Sequence, residues 1–206
     1  MIKTVLWDFD GVIINSMKIR DWGFEEIFKD YDQELIDKLL AFHRKNGGLS
    51  RYVKIRYFFE ELLGQSINDE GVLEYAKKFS ILMRKELTNS KNLILETVEF
   101  IKNNHQNYNF HIVSGSDQEE LRFLTKELSI DKYFISIHGS PTSKKELVAN
   151  LIEKYNYSPK KTSLIGDSHN DYDAALDNKI YFYGYNNTQL LNLGDKYIFN
   201  FKEIQL

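Results

Sequence analysis

Asp8 and Asp10 stand two residues apart in the segment Asp-Phe-Asp-Gly-Val, directly after the apolar run 4–7. A buried parallel strand reads as a continuous apolar run, and open α/β sheets place their chemistry at the ends of such strands. Unpaired anions there are costly unless a cation compensates them. The pair therefore predicts a bound metal. Asp8 could attack an electrophile as a carboxylate nucleophile, and Asp10 could exchange protons with a leaving group and with water. Gly11 would let the backbone come close to a phosphate.

Three more groups of polar residues follow strand-like or loop segments. Ser114-Gly115-Ser116 ends the apolar run 110–113. Ser116 reads as the first residue of a capping box with Glu119, opening a helix that carries Leu121, Leu124 and Leu128. That leaves the Ser114 hydroxyl and the Gly115 amide to hold a phosphate oxygen at the helix start. Ser143-Lys144-Lys145-Glu146 reads as a second capping box. Its lysines occupy the first helical turn, where the helix dipole disfavours cations unless an anion is nearby. Lys144 shares the stripe of Val148 and Leu151 that should face the sheet, whereas Lys145 lies nearer its margin. Gly166-Asp167-Ser168-His169-Asn170-Asp171 follows the run 162–165. Asp167 is poised there for a hard cation, while Asp171 doubles as the acid of a capping box opened by Ser168. His169 reads as a loop residue, because Mg²⁺ prefers oxygen ligands.

These groups need elements to hold them. Strand-like runs occur at 4–7, 110–113, 133–138, 162–165, 180–183 and 197–200, with helical patterns between the later ones. That alternation is the mark of a parallel sheet with crossover helices. The segment 16–88 holds no convincing strand and reads as several helices. One begins at Ser50 and stops at Gly64; another opens with Asn68-Asp69-Glu70 and places Val72, Ala76, Phe79 and Met83 at helical steps. The expected organisation is an α/β core of residues 1–15 and 90–206, interrupted by a helical segment at 16–89.

Composition narrows the function classes. The chain has 206 residues, 42% of them hydrophobic and 14% aromatic, enough for a real core and too much for disorder. A net charge of −3 offers no basic surface to nucleic acid. Cysteine is absent, which excludes thiol chemistry. The short apolar start ends in an acid, unlike a signal peptide, and no run is long enough to span a membrane. A cytoplasmic globular protein with a small-molecule substrate is expected, its oligomeric state open.

In order along the chain, strand-Asp-x-Asp, strand-Ser, Lys and strand-Gly-Asp-x-x-x-Asp resemble the four signature motifs of the haloacid dehalogenase superfamily. The resemblance covers about residues 1–15 and 90–206, and the helical segment is similar to that superfamily's helical cap. A second aspartate at Asp10 points to the phosphatase branch, of the phosphoglycolate phosphatase kind, since halide-removing members carry Asp-x-Tyr. The resemblance implies a Rossmann-like parallel sheet with helices on both faces. It also implies a Mg²⁺-dependent phosphatase of a small phosphorylated metabolite. Asp8 would be its nucleophile, Asp10 its general acid/base, and Ser114, Gly115 and Lys144 its phosphate ligands. Asp8, Asp10 (through its main-chain carbonyl), Asp167 and Asp171 would surround the metal. Many relatives carry Lys-Pro at the third motif, where this chain reads Ser140-Pro141-Thr142-Ser143-Lys144-Lys145. Two alternatives stand beside this reading: a phosphomutase of the same superfamily, and a non-catalytic domain that binds a phosphorylated ligand. Contacts to the leaving group are expected from the helical segment, with Arg44, Arg51 and Arg56 near the flexible stretch Asn46-Gly47-Gly48 as candidates.

Overall fold

The computed structural model describes residues 1–202 and 204. Six strands build one sheet: β1 (Thr4–Trp7), β2 (Asn109–Asp117), β3 (Ser136–Ser140), β4 (Thr162–Gly166), β5 (Tyr181–Tyr185) and β6 (Lys196–Ile198). Their order across the sheet is β3-β2-β1-β4-β5-β6, and every adjacent pair is parallel. β1 lies centrally because all four of its residues are buried. Val5 and Trp7 enter one hydrophobic core while Leu6 enters the other, the period-2 alternation of a strand covered on both faces.

The sheet is covered on both faces. α5 (Leu95–Asn104) and α6 (Gln118–Glu127) bury Ile101, Leu121 and Leu124 in the first core. α7 (Lys144–Tyr155) and α8 (His169–Asp177) bury Leu147, Val148, Leu151, Ala174 and Ala175 in the second. The chain leaves β1 for its neighbour β2 on one side and later returns to β4 on the other. The C-terminal tips of β1, β2 and β4 therefore flank the point where strand order reverses, the usual ligand crevice of such sheets.

Between β1 and β2 come α1 (Met17–Phe28), α2 (Gln33–Lys45), α3 (Arg51–Arg56) and α4 (Asp69–Glu86). α3 starts where the Ser50 side chain accepts from the Val53 amide, and it runs on through a wider π-helical turn at Tyr57–Leu62. Gly64, at φ +67°, supplies the left-handed residue that ends it. α4 starts at Asn68, whose side chain accepts from the Gly71 amide at 2.9 Å. Aromatic rings fill the space between these helices, with Phe28 stacked on Phe58 at 4.0 Å and on Tyr75 at 5.1 Å. The two chain crossings that join this segment to the sheet run side by side. The Asn15 amide donates to the Asn92 carbonyl at 2.7 Å, and the Ile94 amide to the Ile13 carbonyl at 2.9 Å.

Strand boundaries depart most from the sequence reading at β2 and β3, and by one or two residues at β5 and β6, expected at 180–183 and 197–200. β2 continues through Ser114-Gly115-Ser116 to Asp117, and residues 133–135 precede β3 as a short turn and linker. Among the described residues no helix is long and apolar enough to cross a membrane.

Candidate active site

Asp8 follows the last residue of β1, its amide bonded to the Ile165 carbonyl of β4 at 2.9 Å, so the strand ladder itself fixes where the side chain emerges. Asp8 is 3% exposed, and its carboxylate meets Nζ of Lys144 at 2.9 Å. Nζ also donates to Asp171. Lys144 holds the first position of α7 after the Ser143 cap, whose reciprocal capping box with Glu146 is formed as the sequence suggested. The helix phase turns Lys144 inward at 6% exposure, while Lys145 turns outward to Asp177 at 2.8 Å.

Asp171 has two structural duties at once. One oxygen accepts from Lys144, and the other accepts from the Ser168 amide at 3.0 Å and the Ser168 hydroxyl at 2.6 Å. The capping box that could have explained Asp171 is thus present, and it aims the other oxygen at the lysine. Asp8, Asp167 and Asp171 bring one carboxylate oxygen each to within 4.8 Å of one another. Burial, then repulsion from Asp171, pushes the Asp8 carboxyl up to about 7 despite Lys144. Burial, then the charge of Asp8, pushes Asp167 well above the carboxylate range. One lysine therefore does not neutralise three carboxylates, and an oxygen-only donor set of this kind fits a hard divalent cation such as Mg²⁺.

Two details make room for Asp167. Gly11 sits at φ +74°, and a Cβ there would collide with the Asp167 carboxylate, so the glycine yields space to this acid as well as to any ligand. Asn186 and Asn187, in the loop after β5, donate to the Gly11 carbonyl at 2.9 Å and the Asp167 carbonyl at 2.7 Å. Neither asparagine stood out in the sequence, since an asparagine pair in a loop reads as turn chemistry.

Asp10 is surrounded by donors. Arg20 Nε lies 2.5 Å from one oxygen, which also accepts from the Ser16 hydroxyl, and the Ser116 hydroxyl lies 2.5 Å from the other. Burial alone would raise this carboxyl, but Arg20 and the hydroxyls of Ser116 and Ser16 outweigh it and hold the group below its ordinary value. Ser116 corrects the sequence reading. Because β2 runs on to Asp117, that aspartate takes the cap of α6 and accepts from the Glu119 and Glu120 amides, which frees Ser116 to face Asp10. Ser114 is 1% exposed and its hydroxyl accepts from the Ser116 amide at 3.1 Å. It lines, with Gly115, the same cavity of about 30 Å³ as Asp8 and Asp10.

The far wall of this cavity belongs to the helical segment. Glu120 of α6, fully buried, receives both terminal nitrogens of Arg51 at 2.6 and 2.7 Å and Nη1 of Arg20 at 3.2 Å. Arg51 also donates to Ser80 and lies over the Phe79 ring. Of the three candidate arginines, only Arg51 reaches the cavity, and its terminal nitrogens are taken up by Glu120 and Ser80. Arg44 is largely exposed and pairs with Asp21 at 2.9 Å. Arg56 points away, to Glu60, Asp69 and the Ile67 carbonyl. The partners of these arginines lie up to 69 residues away in sequence, beyond the reach of local pattern.

The sequence pattern of haloacid dehalogenase-like hydrolases matches residues 5–184. No curated protein matches the chain. Among solved structures, a β-phosphoglucomutase from Clostridium difficile superposes with a TM-score of 0.80 at 15% identity, covering 100% of this chain and 94% of that one. A magnesium-bound hydrolase of the same superfamily from Bacillus subtilis gives 0.72 at 16% identity, covering 98% and 96%. A protein from Haemophilus somnus described as a predicted phosphoglycolate phosphatase gives 0.68 at 17% identity, covering 97% and 89%. At such identities the structural likeness establishes the fold. The sequence match spans most of the chain, from before Asp8 to beyond Asp171, and on that ground the chain belongs to the haloacid dehalogenase-like hydrolases.

Proposed function

We propose that this protein is a Mg²⁺-dependent phosphatase that hydrolyses a small phosphorylated metabolite through an aspartyl-phosphate on Asp8. The observation that carries this reading is Lys144, whose buried ammonium spans Asp8 and Asp171 where a phosphate would have to approach a carboxylate. Residues 16–89 act as a cap over a core of 1–15 and 90–206. Asp8, Asp167 and the Asp10 main-chain carbonyl would hold the cation, with Asp171 beside them orienting Lys144. The cation, when bound, offsets the repulsion between phosphate and carboxylate.

An Asp8 oxygen bonds to phosphorus as the bond from phosphorus to the leaving oxygen breaks, and Asp10 gives that oxygen a proton. Water then yields a proton to Asp10 and attacks phosphorus. The bond to Asp8 breaks, its carboxylate returns and inorganic phosphate is freed. Lys144, Ser114 and the Gly115 amide bind the phosphate oxygens, where fixed donors stabilise charge that develops in the transition state. Asp10 bound to Arg20 is in the charged form that suits water activation. Its acid role needs that contact loosened.

The test is release of inorganic phosphate from a panel of phosphorylated metabolites and an aryl phosphate, with Mg²⁺ and with excess chelator. Turnover lost in chelator, and lowered on the order of 10⁴-fold or more in Asp8→Asn, is the expected result. Undiminished turnover in chelator, activity in Asp8→Asn, or an isomerised product without free phosphate would overturn it.

A further inference from the structure

The outer side of α4 carries a stripe of residues arranged symmetrically about Lys77. Leu73 and Ile81 lie four residues before and after it, and Glu70 and Arg84 lie seven before and after. Steps of four and seven keep all five on one side of a helix. Leu73 is 58% exposed and Ile81 61%, whereas the inner side of α4 buries Val72, Ala76, Phe79 and Met83. Two large apolar side chains are thus held out to water, one on either side of a lysine.

Pairing of charge sets the same stripe apart. The other charged residues of α4 find opposite charges within the chain: Asp69 on Arg56, Glu74 on Lys78 at 2.8 Å, and Lys85 beside Glu86 at 3.9 Å. Among the described residues, Glu70, Lys77 and Arg84 form no ion pair. The Arg84 guanidinium lies over the Phe123 ring at 5.1 Å, and its Nε is buried without a hydrogen-bond partner. The helix dipole favours acids in the first turn and bases in the last. It does not ask for exposed Leu73 and Ile81 between them. A groove of about 440 Å³ runs beside the stripe, lined by Tyr52, Leu73, Lys77, Ile81, Arg84 and Asp117 among others.

We propose that this face of α4 binds a second copy of the chain, as a two-fold dimer with the helices antiparallel and the axis beside Lys77. That operation sets Leu73 against Ile81 of the second copy and Glu70 against Arg84 of the second copy, and it makes both pairs twice. Each copy supplies the acid and the base, so the stripe is complementary to itself. A parallel pairing would instead set Glu70 on Glu70 and Arg84 on Arg84. The two Lys77 ammonium groups repel at the axis, but their stems can turn into the groove, where Asp117 offers a carboxylate. The dimer would also brace the active cavity, because the Ser80 hydroxyl and the Phe79 ring that hold Arg51 belong to α4.

The experiment measures association by sedimentation equilibrium and locates the axis by cross-linking. The wild type should be dimeric at about 50 μM, and a variant with both Leu73→Asp and Ile81→Asp should be monomeric while melting within a few degrees of wild type. Glu70→Arg and Arg84→Glu should each weaken association about tenfold, and the two together should restore it. Lys77→Leu should tighten it. The chain has no cysteine, so one introduced thiol reports on its own symmetry mate. Helices packed about 8–10 Å apart bring residues at the axis within disulfide range. Oxidation should therefore link Lys77→Cys into a covalent dimer and leave Glu70→Cys, roughly 20 Å from its mate, unlinked. A monomeric wild type, a dimer indifferent to the two aspartates, no rescue by the paired charge swap, or equal cross-linking at positions 70 and 77 would overturn the proposal.

Discussion

The two walls of the cavity are built from opposite surpluses. On the sheet side, Asp8, Asp167 and Asp171 share one lysine, and the carboxylates of Asp8 and Asp167 bind protons far more tightly than usual. On the helical side, Arg20 and Arg51 share Glu120, Arg20 also meets Asp10, and Lys54, bonded only to the Gly47 carbonyl among the described residues, binds its proton less tightly than usual. Each wall alone is electrostatically expensive. A cation relieves the first and an anion the second, which is what a metal-bound phosphate ester with a charged tail would bring together. The difference teaches that the ion pairs of Arg20, Arg51 and Lys144 leave a surplus of opposite sign on each wall, and that surplus is what a ligand would neutralise.

Removing the acid that Arg20 and Arg51 share should have the largest effect. Glu120→Gln leaves Arg51 and Arg20 buried without their shared counter-ion, and breaking such a pair from one side costs about 3–5 kcal/mol. Chemical denaturation should show that loss, whereas Glu119→Gln, on the exposed side of the same helix, should lie within about 0.5 kcal/mol of wild type. A Glu120→Gln midpoint equal to wild type would mean that the clamp contributes nothing.

The sheet wall is tested through its lysine. Lys144→Ala should lower kcat/KM by about 10²–10³-fold, the range found when one fixed donor to a developing charge is removed. Lys145→Ala should change it little, because that ammonium only pairs with Asp177 at the surface. The reverse ranking would place the phosphate on the other side of α7.

The smallest expected effect concerns stability and pH. Asp8 binds its proton more tightly when folded, about 7 against 3.8, so its contribution is fully present below the lower value and is lost as pH rises through the upper. In metal-free buffer, Asp8→Asn should therefore melt a few degrees above wild type at pH 8, and the gap should close as pH falls towards 4. Added Mg²⁺ should stabilise the wild type more at pH 8 than at pH 5.5, since the ligands must be deprotonated to bind.

How much of this was legible depends on range. Asp8, Lys144 and Asp167 follow strand or cap signals within a few residues, so their positions could be read from local pattern, and the inward phase of Lys144 followed from Val148 and Leu151. Ser116 was misread because its local explanation, a capping box, was complete in itself; only the extra length of β2, set by pairing with β3, hands the cap to Asp117. The Arg20–Glu120 and Arg51–Glu120 pairs join residues 100 and 69 positions apart, and no spacing rule sees such contacts. Lys54 and His43 carry no local signal in the sequence, and burial alone sets them apart. Arg44 and Arg56 looked equally suited to the cavity and found acids on the outside instead.

Gly48 and Gly115 bring the backbones of the two walls together so closely that a Cβ on Gly115 would overlap the Gly48 carbonyl. The space behind this seam is about 30 Å³, while a single water needs about 10–15 Å³. Traffic through the site is thus rationed by volume. The same two glycines also line a roomier cavity of about 220 Å³ that reaches Lys144, so in the proposed reaction the seam between them would separate a tight space beside Asp10 from a wetter one. On the proposed mechanism, the choice between hydrolysis and transfer to another hydroxyl would depend on which acceptor fits the tight side of that seam, between two residues that carry no side chain at all.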